Sequence, residues 1–239
     1  MNSRLTLDLA GSRYTVAPGK VIALGLNYRE HIKESVSVKV RGFDQVEPEE
    51  PILFPKLPSA IVGDGDSIRI PAILGDYAYG EDERTDYEGE LAVIIGTGGR
   101  DIPVDRAMEH VLGYSCANDV SQRNIQNGDR SGWFRGKSFD TFLPLGPRIV
   151  PVSEIPDVQN LRIETRLNGK TVQSGNTAQM IFPVAETIAF VSRNFTLEEG
   201  DIILTGTPSG IGPIAHGDLV EIEIESIGVL RNPVEDPRV

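Results

Sequence analysis

Glu88 and Glu90 stand two apart in Asp86-Tyr87-Glu88-Gly89-Glu90-Leu91-Ala92-Val93-Ile94-Ile95. Side chains along a strand repeat every two residues, so these carboxylates project from one face. The same parity continues through Ala92 and Ile94, while Leu91, Val93 and Ile95 fill the other face, and a strand that is apolar on both sides is a buried one. Two carboxylates entering such a region repel each other and take up protons unless a cation holds them, and hard divalent ions such as Mg2+ prefer oxygen shells. The spacing therefore predicts half of a metal site. His31 and Glu34 form a second pair, three apart on a short predicted helix, and an imidazole beside a carboxylate on one helix face is suited to general-base work.

These side chains need elements to position them. Gly19 to Leu26 reads as a buried strand, after which Asn27 caps a helix from Tyr28 to Val36. Residues 1–18 form a lead-in, and the polar stretch Ser37–Glu50 reads as a lid loop. An irregular stretch from Gly75 to Thr85 precedes the two-glutamate strand. A short helix near Val104–His110 follows that strand, then a strand from Leu112 to about Asp119 and a short helix carrying Arg123 and Gln126, again three apart. Further on, Leu161–Leu167 and Lys170–Gln173 flank the hairpin signal Asn168-Gly169. Pro183–Asn194 is predicted as a helix with Pro183 in its first turn. Val220, Ile222 and Ile224 alternate with Glu221, Glu223 and Glu225, the pattern of a half-buried strand with solvated charges. The result is a single strand-rich α+β domain over residues 1–239 with few short helices.

The bulk composition excludes several function classes. A net charge of −12, with basic residues scattered among acids, argues against a nucleic-acid surface. No apolar run approaches the ~20 residues needed to span a bilayer, and no signal-peptide core is present, so a cytoplasmic protein with no membrane partner is expected. The one cysteine, Cys116, sits in an apolar run and reads as a buried, inert thiol. Gly96-Thr97-Gly98-Gly99-Arg100-Asp101 fails as a dinucleotide loop because Asp101 replaces the last glycine. Thr207-Pro208-Ser209-Gly210 fails as a nucleophile elbow because Thr207 stands where the first glycine is needed. The surrounding Thr205–Gly212 has two readings: a rigid turn that brings backbone and a hydroxyl to a ligand, or plain turn chemistry.

Taken together, the segments Asn27-Tyr28-Arg29-Glu30-His31-Ile32-Lys33-Glu34, Phe54-Pro55-Lys56-Leu57-Pro58-Ser59-Ala60, Asp86-Tyr87-Glu88-Gly89-Glu90-Leu91, Asn118-Asp119-Val120-Ser121-Gln122-Arg123, Gly136-Lys137-Ser138-Phe139-Asp140-Thr141, Met180-Ile181-Phe182 and Thr205-Gly206-Thr207-Pro208 resemble the fumarylacetoacetate hydrolase family. The resemblance implies that family's mixed β-sandwich roll and a homodimer. It implies Mg2+ or Mn2+ held by Glu88, Glu90 and Asp119, and a water-activating dyad of His31 and Glu34. Arg123, Gln126, Lys137 and Thr207 would meet the oxygens of a small anionic 2-oxo acid, with Lys137 also acting in catalysis by stabilising a pyruvate enolate.

The activity it implies is hydrolysis of a carbon–carbon bond in 2,4-dioxo acids of the acylpyruvate or fumarylpyruvate type. Isomerisation or decarboxylation of 2-hydroxyhepta-2,4-diene-1,7-dioate-type intermediates, or decarboxylation of oxaloacetate, passes through the same enolate. A non-catalytic ligand-binding homologue fits poorly, because metal ligands, dyad and cations are all present. Two positions depart from the family pattern: Leu26 stands where Arg often precedes the Asn-Tyr pair, and Asn124 stands where Asp is common. Both leave the metal ligands intact and bear on which acid is the substrate.

Overall fold

The computed structural model describes residues 5–34, 47–78, 83–130 and 132–239, with only the backbone of Lys33 and Glu34. The expected lid loop, Ser37–Glu50, lies outside the described residues except for 47–50.

Among the described residues strands dominate, in three sheets, two of mixed pairing and one wholly antiparallel. The largest has nine strands, eight of them in the order Ser12–Thr15, Thr6–Leu9, Leu143–Pro151, Val111–Asn118, Gly89–Ile95, Ile202–Leu204, Val21–Gly25, Ile52–Lys56; the ninth, Ile61–Val62, pairs with Leu143–Pro151. Ile202–Leu204 runs parallel to Val21–Gly25 and antiparallel to Gly89–Ile95. A five-stranded sheet is built from Lys170–Asn176, Arg162–Leu167, Leu219–Ile224, Gly228–Glu235 and Ile68–Arg69, and a three-stranded one from Ser121–Gln122, Thr85–Tyr87 and Gly212–Pro213.

Every residue of Gly89–Ile95 is buried, as its two-sided apolar pattern requires. Leu91, Val93 and Ile95 join one core with Ile163, Val220, Ile222 and Ile224 of the five-stranded sheet. Ala92 and Ile94 join a second with Val21, Ala23, Leu143, Leu145, Ile202 and Leu204. The strand is thus covered on both faces, and its N-terminal end delivers Glu88 and Glu90 to the junction of the sheets.

Four local expectations need amendment. The helix expected from Tyr28 to Val36 begins at Arg29 and is described as far as Glu34, residues 35 and 36 lying outside the described residues. Asn27, expected to cap it, bridges two distant segments: its amide nitrogen donates to Phe182 O (3.1 Å) and Thr205 O (2.8 Å), and its Oδ1 accepts from Phe182 N (2.8 Å). Pro183 stands immediately before the helix Val184–Asn194 rather than inside its first turn. Glu221 and Glu223, expected to be simply solvated, pair with Arg166 and, for Glu221, Arg231. The Asn168-Gly169 hairpin forms as expected, both residues having positive φ (52° and 77°). Among the described residues no helix is long and apolar enough to cross a membrane.

Candidate functional site

The chain does not pass Glu88 in one continuous strand. Thr85–Tyr87 pairs in the three-stranded sheet, Gly89–Ile95 pairs in the nine-stranded one, and Glu88 is the residue at which the chain changes sheets. The break is held by Asn118 and Asp119: Glu88 N donates to Asn118 Oδ1 (2.9 Å), and Asp119 N donates to Glu88 O (2.9 Å). That exchange brings the third carboxylate in. Glu88, Glu90 and Asp119 are all buried and each offers an oxygen within 4.8 Å of the others. Gly89 between the glutamates is dictated by packing, since a Cβ there would lie 2.3 Å from Thr165 Oγ1 of the facing sheet.

Three buried cations surround the carboxylates. Lys137 Nζ lies 2.7 Å from Glu88 Oε2 and 2.6 Å from Asp119 Oδ2. Arg123 donates through Nε to Asp86 Oδ2 (2.7 Å), through Nη1 to Gln126 Oε1 (2.8 Å) and through Nη2 to Glu88 Oε1. The i,i+3 spacing of Arg123 and Gln126 on the helix Arg123–Gly128 is what lets these two meet. Lys56, whose side chain is 0% exposed, donates to Asp119 Oδ1 (2.5 Å) and to the Lys137 carbonyl.

Electrostatics distinguishes the glutamates. Burial alone would raise the pKa of Glu88, but Lys137, Arg123 and His31 hold it well below the usual carboxylate range. Glu90 moves the other way: burial, then the charges of Asp119 and Glu88, push it well above that range, and the Gly206 N–H that bonds its Oε2 (2.7 Å) offsets only part of this. The Lys137 ammonium is stabilised because Asp119 and Glu88 outweigh its burial. Burial dominates at Lys56 and lowers its pKa despite Asp119. Three converging, buried oxygen ligands, one of them unfavourable in its charged form until a cation neutralises its neighbours, fit a hard divalent cation.

One cavity of about 20 Å³ gathers His31, Glu88, Glu90, Arg123, Gln126, Lys137 and Thr207. Asp119 is joined to it through Lys137. His31 is buried at 6% exposure; the side chain of Glu34 lies outside the described residues, so the dyad is represented by its histidine. The Thr207 hydroxyl donates to Gly89 O (2.8 Å) and accepts from Gln173 Nε2 (2.9 Å), which ties the turn to the strand carrying Glu90. Leu24, Leu26, Phe54 and Trp133 form an apolar wall. Leu26 holds a left-handed backbone, φ 58°, a conformation unfavourable for leucine. At the other departure, Asn124 Oδ1 accepts from Arg84 N (2.8 Å) and Gln122 Nε2 (3.1 Å).

Two charged participants escaped the sequence reading of roles. Lys56 shares strand parity with Phe54, so a lysine there is turned toward the interior, a signal visible in the sequence. Asp86 has the parity of Glu88 and Glu90, and it fixes Arg123 while also pairing with Arg84 (2.7 Å). A third finding is Tyr28, whose buried hydroxyl has no hydrogen-bond partner among the described residues; burial and Glu90 keep its proton on.

The family model described as fumarylacetoacetate (FAA) hydrolase C-terminal matches residues 20–235. The mitochondrial oxaloacetate tautomerase FAHD2A of Bos taurus is 45% identical over 226 residues, 91% of this chain and 67% of that protein. Fumarylpyruvate hydrolase from Pseudomonas aeruginosa, solved in complex with Mn2+ and pyruvate, superposes with a TM-score of 0.84 at 32% identity, covering 98% of this chain and 97% of that one. The 2-hydroxyhepta-2,4-diene-1,7-dioate isomerase from Mycobacterium marinum gives a TM-score of 0.78 at 36% identity over 95% of this chain and 82% of that one.

Proposed function

The chain belongs to the fumarylacetoacetate hydrolase family, and on that premise we propose that it is a divalent-metal-dependent enzyme cleaving a carbon–carbon bond in small 2,4-dioxo acids of the acylpyruvate or fumarylpyruvate type. The observation that carries the reading is the charge balance of the centre. Four buried carboxylates, Asp86, Glu88, Glu90 and Asp119, face three buried cations, Lys56, Arg123 and Lys137. A divalent ion on ionised carboxylates makes the sum positive by one, which suits the carboxylate of a 2-oxo acid. Glu88, Glu90 and Asp119 would hold Mg2+ or Mn2+, whose contribution when bound is Lewis-acid polarisation of substrate oxygens.

The chain's own groups have distinct work. Arg123 is locked by Asp86, Glu88 and Gln126, so it presents a fixed positive charge to the substrate without reorganising. Lys137 uses two of its three N–H donors on Glu88 and Asp119, leaving one for the developing enolate oxygen. His31 would take a proton from a water attacking the distal carbonyl, with Glu34 orienting the ring. The bond between C3 and that carbonyl then breaks, its electron pair goes to the pyruvate enolate, and protonation at C3 gives pyruvate. Thr207 and Gln126 complete the polar lining. A cytoplasmic homodimer is part of the same proposal.

A second reading is favoured by the small cavity and by the likeness to an oxaloacetate tautomerase: isomerisation or decarboxylation, which use the same enolate with no attacking water. The His31→Ala variant separates the two. If hydrolysis is the activity, cleavage of acetylpyruvate falls at least tenfold more than turnover of oxaloacetate, with metal content unchanged. Equal loss of both removes the water-activating role and leaves the isomerase or decarboxylase reading.

A further inference from the structure

The substrate's acid end is drawn toward Arg123 and Lys137, so whatever is attached beyond its 2-oxo group meets the apolar wall. That wall is not uniformly fixed. Leu24 and Phe54 belong to paired strands and are 2% and 7% exposed. Trp133 is half-buried and precedes the four-residue helix Phe134–Lys137. It follows Gly132, whose φ is +91° and around which a Cβ would meet nothing within 4 Å.

The indole rests on bare backbone. A Cβ at Gly25 would lie 2.5 Å from Trp133 Cζ3 and 3.0 Å from Cη2, and the ring stands edge-on to Phe54 with centroids 5.4 Å apart and planes at 73°. Gly25 has no left-handed backbone that would demand glycine; what demands it is the indole. With Trp133 seated there the cavity measures about 20 Å³, room for roughly one water, since a single probe sphere needs ~10–15 Å³. A 2-oxo acid of any length therefore needs wall residues to yield, and the longer its tail the further they must move.

We infer that Trp133, seated on Gly25, is the residue that sets how large a substituent the 2-oxo acid carries: a short tail needs only a small shift of the indole, and a longer one must displace it further. The inference rests on the 2-oxo acid reading above and adds to it which side chain limits the substrate. Trp133 is the chain's single tryptophan, so its emission reports its own position without labelling.

Saturated 2-oxo acids lack the distal carbonyl and are not cleaved hydrolytically, which permits equilibrium measurements. Pyruvate and 2-oxohexanoate are titrated calorimetrically in the presence of Mg2+ into wild type, Trp133→Phe and Trp133→Ala. The ratio of affinities, 2-oxohexanoate over pyruvate, should rise at least tenfold from wild type to Trp133→Ala, with Trp133→Phe between them. In wild type, bound 2-oxohexanoate should alter acrylamide quenching of Trp133 emission, and bound pyruvate should change it less than half as much. An unchanged ratio across the three proteins, with both acids bound, would overturn the inference and leave the 2-oxo acid reading intact. Unaltered quenching by bound 2-oxohexanoate would do the same without depending on any variant. If neither acid nor oxalate binds wild type with Mg2+, the functional reading and the role of Trp133 fall together.

Discussion

Replacing Lys56 with methionine deletes one buried ammonium while keeping most of the stem's volume. In the wild type that ammonium is fully enclosed, 2.5 Å from Asp119 Oδ1, and also bonded to the Lys137 carbonyl. Breaking a buried pair by removing one partner costs about 3–5 kcal/mol, and leaving the carbonyl without a donor adds about 1–3 kcal/mol. Two terms work against this. Asp119 keeps Lys137 at 2.6 Å, and the depressed pKa of Lys56 means that burying its charge was itself costly. A net loss of about 3 kcal/mol follows, which at roughly 2–4 °C per kcal/mol for a chain of this size lowers Tm by about 6–12 °C. The assay is calorimetric or circular-dichroism melting with EDTA, repeated with Mg2+. Because the variant leaves one more uncompensated negative charge at the centre, Mg2+ binds its native state more favourably and should raise its Tm more than it raises wild type's. A fall of less than about 2 °C in EDTA would show that the pair carries little stability. An equal Mg2+ response in both proteins would show that Lys56 does not contribute to the charge balance of the centre.

Other consequences can be checked directly. Glu90→Ala should abolish retention of one divalent ion per chain, measured by elemental analysis after gel filtration; full occupancy in that variant would remove Glu90 from the ligand set. Lys137→Met should reduce kcat/KM by about 10²-fold or more, on the scale of losing one charged transition-state donor, and a change below about threefold would make it a scaffold residue. Burial pushes the Cys116 thiol up to about 12, so a disulfide reagent at pH 8 should label the native protein only at the rate of unfolding; immediate stoichiometric labelling would contradict the packing around it.

What the sequence made legible was periodicity. The parity of Glu88 and Glu90 and the apolar run behind them predict two acids facing one way at a buried strand, and the spacing of Arg123 and Gln126 places those two side chains together on a short helix. The strand-rich α+β character was legible for the same reason, and so was the Asn168-Gly169 hairpin. Parity succeeded at the carboxylates even though the chain breaks at Glu88, because the backbone bond from Asp119 to Glu88 closes the gap. Three of the missed features depend on partners far apart in the chain, which no local period encodes. Lys56 meets Asp119 63 residues later, Asn27 bridges to Phe182 155 residues later, and Gly25 is bare because Trp133 lies on it.

The same distinction explains how the site is built. Local periodicity sets the common facing of Glu88 and Glu90 and puts Arg123 and Lys137 on short helices, but the centre exists only where the nine-stranded sheet, the three-stranded sheet and the Thr205–Pro208 turn converge. Gly206 donates its N–H to Glu90, Thr207 ties down Gly89, and Gln173 of the five-stranded sheet bonds both Thr207 and the Gly89 N–H. Each of the two glutamates is thus held by a segment other than its own strand: Glu88 by Asn118 and Asp119, Glu90 by the turn. Backbone fixed in this way does not have to be reorganised to bring the carboxylates together when an ion arrives. The cost of bringing like charges together is met during folding, by burial of the cores on either side of Gly89–Ile95 and by Lys56, Arg123 and Lys137. Lys56→Met removes part of that compensation without touching a predicted ligand, and for that reason its thermal response to Mg2+ tests the design of the centre more directly than substitution of a carboxylate.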